Sequence, residues 1–221
     1  MKIKAIITGA TGMVGEGVLL ECLQNPKVEK VLLINRRPSG YTHPKLSELV
    51  TPNLQHLPEE LNPQLSGYNA CFFCAGVSSV GMNEADYSKV TYDLTLGFAG
   101  TLAPLNPDMT FIYVSGAGTD GTEKGRTMWA RVKGKTENDL RKLGFKRAFA
   151  FRPGFMKATP GQRYLLPAYK YFAWLAPVLL LFKGIACTLQ EVGQAMINAA
   201  DTGYEKPVLE VRDITALAKR G

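Results

Sequence analysis

Two side chains that could take part in catalysis stand four residues apart in the segment MWARVKGK, at Trp129 and Lys133. On a helix this spacing places both side chains on one face. An aromatic residue and a lysine in this arrangement can form a catalytic pair, or they can simply pack against each other. The indole N–H of Trp129 donates hydrogen bonds but does not release a proton near neutral pH. The role of the pair therefore depends on what surrounds it.

A glycine-rich loop near the N-terminus has the pattern of a phosphate-binding loop. Gly9, Gly12 and Gly15 follow a short apolar segment and open a helical pattern, in a GxxGxxG spacing. Gly9 permits a tight turn, Gly12 lets the backbone approach a phosphate, and Gly15 lets the helix pack close to the sheet. The free N–H groups at the start of the helix would then hold a pyrophosphate, unless this is a glycine-rich turn without a ligand. The predicted loop comprises Gly9, Ala10, Thr11, Gly12, Met13, Val14 and Gly15.

The end of the second predicted strand bears on the choice of cofactor, and it reads Asn35-Arg36-Arg37. An acidic residue at this place would bind the adenosine ribose and repel a 2′-phosphate. The guanidinium groups of Arg36 and Arg37 suit a 2′-phosphate instead. The sequence therefore favours NADP over NAD, although two solvated arginines on a loop remain the alternative.

The elements that must position these residues alternate between strand-like and helix-like patterns. Helices are predicted over residues 12–24, 84–102, 126–143 and 188–200, the last with Thr188 as N-cap and Glu191 completing a capping box. Strands are predicted over residues 3–7, 28–34, 54–57, 70–75, 109–114, 147–151 and 206–211. This alternation predicts an α/β fold, a Rossmann-like doubly wound parallel sheet with a small C-terminal lobe.

Length and composition fit one domain with a sizeable core. The chain has 221 residues, of which 46% are hydrophobic and 20% charged, so we expect a single NAD(P)-binding domain over residues 1–221. The net charge of +7 favours anionic ligands. Because the basic residues are scattered and form no long block, no nucleic-acid partner is expected.

The four cysteines suggest a reducing compartment. Cys71 and Cys74 form a CxxC within a predicted strand, where residues three apart point to opposite faces, so neither a disulfide nor a metal site is expected there. No other metal site is predicted. The start of the chain lacks the pattern of a secretory signal. The expected location is therefore cytoplasmic.

The composition of the sequence changes after Pro153-Gly154. Residues 155–187 are expected to form a small lobe or lid for the substrate. Residues 164–187 are strongly apolar, but their longest uncharged run, 171–182, has twelve residues and contains Pro177. A membrane-spanning helix needs about 20. We expect a lid-like helix beside the ligand cleft, and contact of residues 164–187 with a membrane surface is the alternative.

Four motifs in order resemble a known family. TGATGMVG, the strand CFFCAG, the strand end YVSGAG and the later W-A-R-V-K are together similar to an atypical short-chain dehydrogenase/reductase. The closest resemblance is to the branch of Tat-interacting-protein oxidoreductases, also described as semialdehyde-dehydrogenase-like or epimerase-like. It covers most of the chain and is strongest over residues 2–155.

The resemblance implies roles for individual residues. It places the phosphate loop at Gly9, Gly12 and Gly15, a cofactor-lining strand end at Cys74, Ala75 and Gly76, and a loop near the nicotinamide at Pro153 and Gly154. Ser115 matches the serine that hydrogen-bonds a substrate carbonyl. Lys133 matches the lysine that holds the nicotinamide ribose and lowers the pKa of a tyrosine four residues earlier. Trp129 stands where that tyrosine is expected, and Thr91 where many members have an asparagine.

The chain is therefore expected to be an NADP-dependent oxidoreductase acting on a small carbonyl or alcohol substrate, with Trp129 in place of the catalytic tyrosine. The acid could be a tyrosine of the lobe, Tyr164 or Tyr169, or a water molecule. Trp129 itself could be a flat wall for the ligand or only part of the core. A non-catalytic NADP-binding sensor or regulator is the alternative function. The sequence does not specify the oligomeric state.

Overall fold

The fold of this chain, seen in a computed structural model, is built from short parallel strands and the helices that connect them. The structure describes residues 2–165, 169, 174, 179–182 and 184–220. The strands are β1 Ile3–Thr8, β2 Val28–Asn35, β3 Leu46–Val50, β4 Ala70–Phe73, β5 Thr110–Val114, β6 Arg147–Arg152, β7 Phe155–Lys157, β8 Ala186–Thr188 and β9 Val208–Glu210. The helices are α1 Met13–Gln24, α2 Asn62–Leu65, α3 Glu84–Ser88, α4 Leu94–Leu105, α5 Met128–Leu140, α6 Leu189–Thr202 and α7 Val211–Ala218.

The central sheet confirms the predicted Rossmann-like α/β fold. Among the described residues, seven strands form one parallel sheet in the order β3-β2-β1-β4-β5-β6-β9. The chain order reverses between β1 and β4, and in such sheets a crevice opens at the carboxyl ends of these two strands. That edge is where β1 leads into the glycine loop and β4 leads into Cys74-Ala75-Gly76.

Both faces of the sheet are covered by helices, which explains the apolar strands. On one face, α1, α6 and α7 bury residues such as Val18, Met196 and Ile214 against β1 and β2. On the other face, α4 supplies Phe98 and Leu102, which pack against β4 and β5. A parallel strand covered on both sides needs apolar residues at successive positions, as in the fully buried run of β4.

The strand predicted over residues 54–57 is wrong, because the third strand is β3, at Leu46–Val50. This strand lies at the edge of the sheet, and its pattern LSELV leaves Ser47 and Glu48 exposed. Leu54 and Leu57 are buried, but the chain around them bends. The Asn53 side chain accepts hydrogen bonds from the backbone N–H groups of Gln55 and His56, which fixes that bend.

The helix predicted over residues 84–102 is present but interrupted. Between α3 and α4 the chain forms a π-helical turn, Lys89–Asp93, and α4 then continues to Leu105 with Pro104 in its last turn. A π-helical turn inserts an extra residue into the helical ladder and is often found at functional sites. Thr91, at the middle of this turn, is buried.

The C-terminal part contains one confirmed helix and three elements that were not predicted. Helix α6 begins as expected, because Thr188 and Glu191 form the predicted capping box. The missed elements are α7 and the two-stranded parallel pair of β7 and β8.

Half of the apolar segment 164–187 lies outside the described residues, and so does most of the lid-like helix expected there. Five of the large apolar side chains described in it, Leu165, Trp174, Leu181, Phe182 and Ile185, are exposed, whereas Leu179 and Leu180 are half-buried. Contact of this segment with a membrane surface therefore stays a prediction. Within the described ranges, no helix is long and apolar enough to cross a membrane.

The cysteines lie as predicted. Cys71 packs among the residues under α4, whereas Cys74 packs against the opposite face of the sheet. All four cysteines of the chain are described, and each has a free thiol.

Candidate cofactor-binding and catalytic site

The glycine loop is shaped by two close backbone approaches. Gly9 has φ +74°, in the left-handed region, and a Cβ there would lie 2.7 Å from the Cys74–Ala75 backbone. A Cβ at Gly15 would lie 2.3 Å from the Gly9 carbonyl oxygen, so α1 crosses the loop at a distance that only glycine permits. These two positions fix the shape of the loop.

Gly12 differs from the other two glycines because its side-chain position is open. A Cβ there would meet the Gly9 oxygen at 3.4 Å, an ordinary contact, and no other atom within 4 Å. Gly12 is also the N-cap of α1, and no side chain caps that end of the helix. The N–H groups of the first turn are therefore available to an anion.

A cleft of about 450 Å³ opens beside this loop at the carboxyl edge of the sheet. It brings together eight of the predicted cofactor residues, and its lining is Gly9, Thr11, Gly12, Asn35, Arg36, Arg37, Leu54, Cys74, Ala75 and Gly76. The remaining loop residues, Ala10, Met13, Val14 and Gly15, are buried or half-buried and build the loop from behind.

Asn35 is a site residue that sequence reasoning missed. Its side chain is buried and accepts a hydrogen bond from the Ala10 N–H at 3.2 Å, which ties the end of β2 to the loop. Its amide group donates to Glu48 Oε1 at 3.0 Å. A buried asparagine directly before two arginines was the available signal, because a polar side chain at that place needs partners.

The arginines at the end of β2 give the cleft a positive end. Arg36 and Arg37 are exposed and make no hydrogen bond or ion pair with any other described residue. The nearby acid, Glu48, has its Oε1 engaged by Asn35 and by the Ser39 N–H at 2.9 Å. Glu48 therefore does not form an ion pair with either guanidinium group. Both groups line the cleft at the place where the sequence predicted a 2′-phosphate.

The second group of predicted residues lies at the end of β5 and on α5. Lys133 Nζ donates a hydrogen bond to the Ser115 carbonyl oxygen. Burial lowers the pKa of Lys133 to about 8, and the negative charge of Glu137 partly opposes this shift. Trp129 is half-buried, and a Cβ at Gly118 would lie 3.5 Å from its ring. The structure thus brings Ser115 and Lys133 together and places Trp129 beside the loop that follows β5.

The hydroxyl of Ser115 is turned into the protein. It donates to Glu137 Oε1 at 2.5 Å and lies 3.3 Å from the Phe151 carbonyl oxygen. Ser115 is 4% exposed and Glu137 is 2% exposed. Both neighbours of the hydroxyl are acceptors, so its single proton is directed inward. In this geometry the hydroxyl proton is engaged within the protein, so the donation to a substrate carbonyl that the resemblance implies for Ser115 stays a prediction and would require the hydroxyl to turn.

Glu137 and Arg152 are further residues that the sequence did not reveal. Arg152 donates to Glu137 through Nε at 2.9 Å and Nη2 at 2.6 Å, and to Glu210 through Nη1 at 3.1 Å. Glu137 lies one turn after Lys133 on the same face of α5. That spacing, and the place of Arg152 directly before Pro153-Gly154, were the signals available.

The loop after β6 is fixed by backbone contacts. The Pro153 carbonyl oxygen accepts from the Ala117 N–H at 2.9 Å, so this loop touches the one that follows β5. A Cβ at Gly154 would lie 2.2 Å from the Ile185 carbonyl oxygen, which requires glycine where β7 meets β8. Neither residue lines the 450 Å³ cleft.

The two tyrosines considered as acids have partners elsewhere. The Tyr164 hydroxyl donates to the Ser39 carbonyl oxygen at 3.1 Å, in the loop after β2. The Tyr169 hydroxyl accepts from the Ala158 N–H at 2.8 Å, and its ring stacks on Phe155. The buried hydroxyl of Thr91, in the π-helical turn, has no hydrogen-bond partner among the residues that the structure describes.

A strap formed by residues 159–165 crosses the start of α1. The carboxylate of Glu16, which is fully buried, accepts from the backbone N–H groups of Arg163 and Tyr164, each at 2.7 Å. The same carboxylate accepts from the Tyr41 hydroxyl at 2.6 Å and from Gln162 Nε2 at 3.3 Å. The strap is therefore joined to both the phosphate-loop helix and the loop after β2.

Several known proteins are similar to this chain. Protein FMP52-1, mitochondrial, of Scheffersomyces stipitis is 26% identical over 227 residues, which cover 98% of this chain and 99% of that protein. Protein fmp52, mitochondrial, of Emericella nidulans is 30% identical over 164 residues, covering 71% of this chain and 67% of that protein. No protein-family model matches the chain.

The fold is also that of solved oxidoreductase structures. A short-chain dehydrogenase/reductase-family oxidoreductase from Burkholderia thailandensis has a TM-score of 0.68 at 15% identity, covering 98% of this chain and 93% of that one. The enzyme WbmF of Bordetella bronchiseptica, crystallised with NAD+, has a TM-score of 0.66 at 15% identity, covering 97% of this chain and 77% of that one. At this identity the likeness shows the fold.

The relatives contradict the expected cytoplasmic location, because the FMP52 proteins of S. stipitis, E. nidulans and Debaryomyces hansenii are named as mitochondrial. Unpaired buried thiols are compatible with any reducing compartment, so they could not separate one such compartment from another.

Proposed function

Because the chain belongs to the FMP52 family and has the fold of NAD(P)-binding short-chain dehydrogenases/reductases, we propose that it is an NADP-dependent oxidoreductase that acts on a small carbonyl or alcohol. The proposal concerns three things: the preference for NADP over NAD, the presence of catalysis and the class of substrate.

The observation that carries the proposal is the composition of the 450 Å³ cleft. One end is the uncapped start of α1 with an open position at Gly12, which suits a pyrophosphate. The other end has Arg36 and Arg37, which suit a 2′-phosphate.

In this arrangement each part of the chain has a definite task. NADP(H), when bound, supplies or accepts a hydride. Cys74, Ala75 and Gly76 form one wall of the cleft, and Lys133 has donors left to hold the nicotinamide ribose after its bond to Ser115. Trp129 offers a flat apolar surface beside Gly118.

The experiment that tests this function has a binding arm and a turnover arm. Calorimetry compares NADP+ with NAD+, and NADPH oxidation is then followed with a panel of aldehydes and ketones. Tight NADP+ binding with turnover of a carbonyl supports the proposal. Failure to bind either cofactor would overturn it.

A second candidate is a sensor or regulator that binds NADP without turnover. The observation that favours it is that Trp129 stands where the family has its acid. The indole does not release a proton near neutral pH, and the Ser115 hydroxyl points inward. Strong NADP+ binding with no oxidation of NADPH by any carbonyl of the panel would make this the function.

A further inference from the structure

The face of α5 that looks toward Ser115 carries three functional groups in succession: Trp129, Lys133 and Glu137. Trp129 cannot act as an acid near neutral pH. Glu137 accepts hydrogen bonds from Arg152 and Ser115, so its oxygens are occupied as acceptors. Lys133 is the group of the three that has protons to give.

The position of the Lys133 ammonium group is defined by one hydrogen bond. Its Nζ donates to the Ser115 carbonyl oxygen, at the carboxyl end of β5 where substrate is expected. An ammonium group has three hydrogens, so two remain after this bond. One can hold a ribose hydroxyl, and the other can reach an oxygen of the substrate.

We propose that Lys133 is the proton donor of this site and replaces the tyrosine that Trp129 displaces. The inference rests on the proposed oxidoreductase function. NADPH, when bound, would supply a hydride to the carbonyl carbon, and the electrons of the C=O π bond would move to oxygen. That oxygen takes a proton from the Lys133 ammonium, which gives a hydroxyl group and a neutral amine. The amine then takes a proton from water.

The partners of Ser115 support this assignment, because they engage the proton of its hydroxyl, which is the other group that could donate to the substrate. Because the Ser115 proton is directed to Glu137 or to the Phe151 oxygen, the outward side of that hydroxyl is an acceptor. Glu137 and Arg152 act as positioning residues for Ser115.

The surroundings of Lys133 lower the pKa of its ammonium group toward neutral pH. Burial lowers its pKa to about 8, and Glu137 is the charged group that opposes the shift. Three charged groups on the neighbouring elements have ion-pair partners, Glu84 with Arg131, Asp86 with Lys89 and Arg152 with Glu137, and Asp93 and Asp120 are the further acidic groups there. An acid with a pKa near the working pH is favourable for proton transfer.

The test compares Lys133→Arg and Lys133→Met with the unmutated protein. Arginine keeps the positive charge and hydrogen-bond donors, but it does not release a proton at these pH values. Rates of NADPH oxidation are measured at saturating cofactor between about pH 6 and 10, with 4-nitrobenzaldehyde and 9,10-phenanthrenequinone as probes. NADP+ affinity is measured by calorimetry. Lys135→Met is the control, because Lys135 is exposed and pairs with Asp139 on the same helix.

We expect the unmutated rate of reduction to fall as the pH rises through about 8, since the ammonium form is then lost. Lys133→Arg should keep NADP+ affinity within about threefold and lose about 100-fold or more in kcat, the usual contribution of an acid. Lys133→Met should lose both. The decline above pH 8 should disappear from any residual rate of either variant and persist in Lys135→Met.

Two results would overturn the inference while leaving the proposed function intact: undiminished kcat in Lys133→Arg, or a decline near pH 8 that survives both substitutions. Loss of that decline in Tyr169→Phe would assign the acid to Tyr169 instead. If the unmutated protein binds NADPH but reduces neither probe, Lys133 is not a proton donor and the sensor function gains support. If it does not bind NADPH, the proposed function itself fails.

Discussion

Removing two guanidinium groups, by Arg36→Ala together with Arg37→Ala, is expected to abolish the preference for NADP(H). In the unmutated protein we expect NADP(H) to bind at least about tenfold tighter than NAD(H), or roughly 1.4 kcal/mol. The physical reason is that both arginines line the cleft and Glu48 is engaged elsewhere. Calorimetry with both cofactors measures the difference.

The control for this change is Lys219→Ala with Arg220→Ala, which removes the same charge beyond the end of α7. It should leave the preference unchanged. Equal affinities for NADP(H) and NAD(H) in the unmutated protein would show that the two arginines do not bind the 2′-phosphate.

Trp129→Tyr is expected to raise carbonyl reduction by something like 10²-fold, the lower end of acid–base contributions. The phenol would lie on the same helix face as Lys133, whose positive charge favours release of its proton. The swap shortens a half-buried side chain beside Gly118 and carries a small packing cost.

Trp129→Phe is the matched control, because it makes nearly the same change of volume without adding a hydroxyl. Steady-state NADPH oxidation is compared at one pH with both proteins folded and saturated with cofactor. The same rate in the tyrosine and phenylalanine variants would argue that position 129 does not face the substrate.

At the scale of residues, the sequence was most informative where function depends on adjacent positions. The glycine loop and the Arg36-Arg37 pair could be placed because each is contiguous in the chain. The inward turn of Ser115 could not, because it depends on Glu137 and Arg152, which are distant in sequence and meet Ser115 only after β5, α5 and β6 pack together.

Within the phosphate loop and α1, the glycines are expected to respond differently to substitution. Gly12→Val should abolish cofactor binding with little loss of stability, because Gly12 has φ −131°, which valine can adopt, and its side-chain position is open. Gly15→Ala should instead destabilise the fold by at least about 1–3 kcal/mol, since its Cβ would overlap the Gly9 backbone.

Thermal unfolding and NADP+ calorimetry on the two variants separate these effects. Gly100→Ala serves as the control, because a Cβ at Gly100 meets nothing within 4 Å. Undiminished NADP+ binding by Gly12→Val would mean that the loop does not hold the pyrophosphate.

Elements with a strong apolar pattern were predictable, and those whose pattern is weak were not. The buried strands β1, β2 and β4 were found to within a few residues. Strand β3 was missed because an edge strand needs few apolar residues. Helix α7 was missed because it is short, and its N-terminal cap is formed by Glu210 and Asp213 rather than by the usual serine or threonine.

At the scale of the whole molecule, Glu16 connects parts of the chain that are about 150 residues apart. Glu16→Gln should release the strap, because an amide presents one NH2 group to backbone N–H groups that need acceptors. A loss of about 1–3 kcal/mol is expected for the donors left unpaired. Hydrogen exchange of the amides in residues 159–165 should become faster.

Tyr41→Phe is the matched control, since it removes one of the groups that hold Glu16 and leaves the two backbone bonds to the strap in place. Its effect on exchange should be smaller. Unchanged protection of the strap in Glu16→Gln would show that other contacts hold it.

The double attachment of the strap also has a kinetic consequence. The strap is joined to the start of α1 through Gln162 and through Glu16, so loosening the strap would also loosen that end of the helix. Entry of one ligand and departure of the other would then share a single opening event. Exchange of the proposed cofactor between turnovers would then require the strap to release both the start of α1 and the loop after β2.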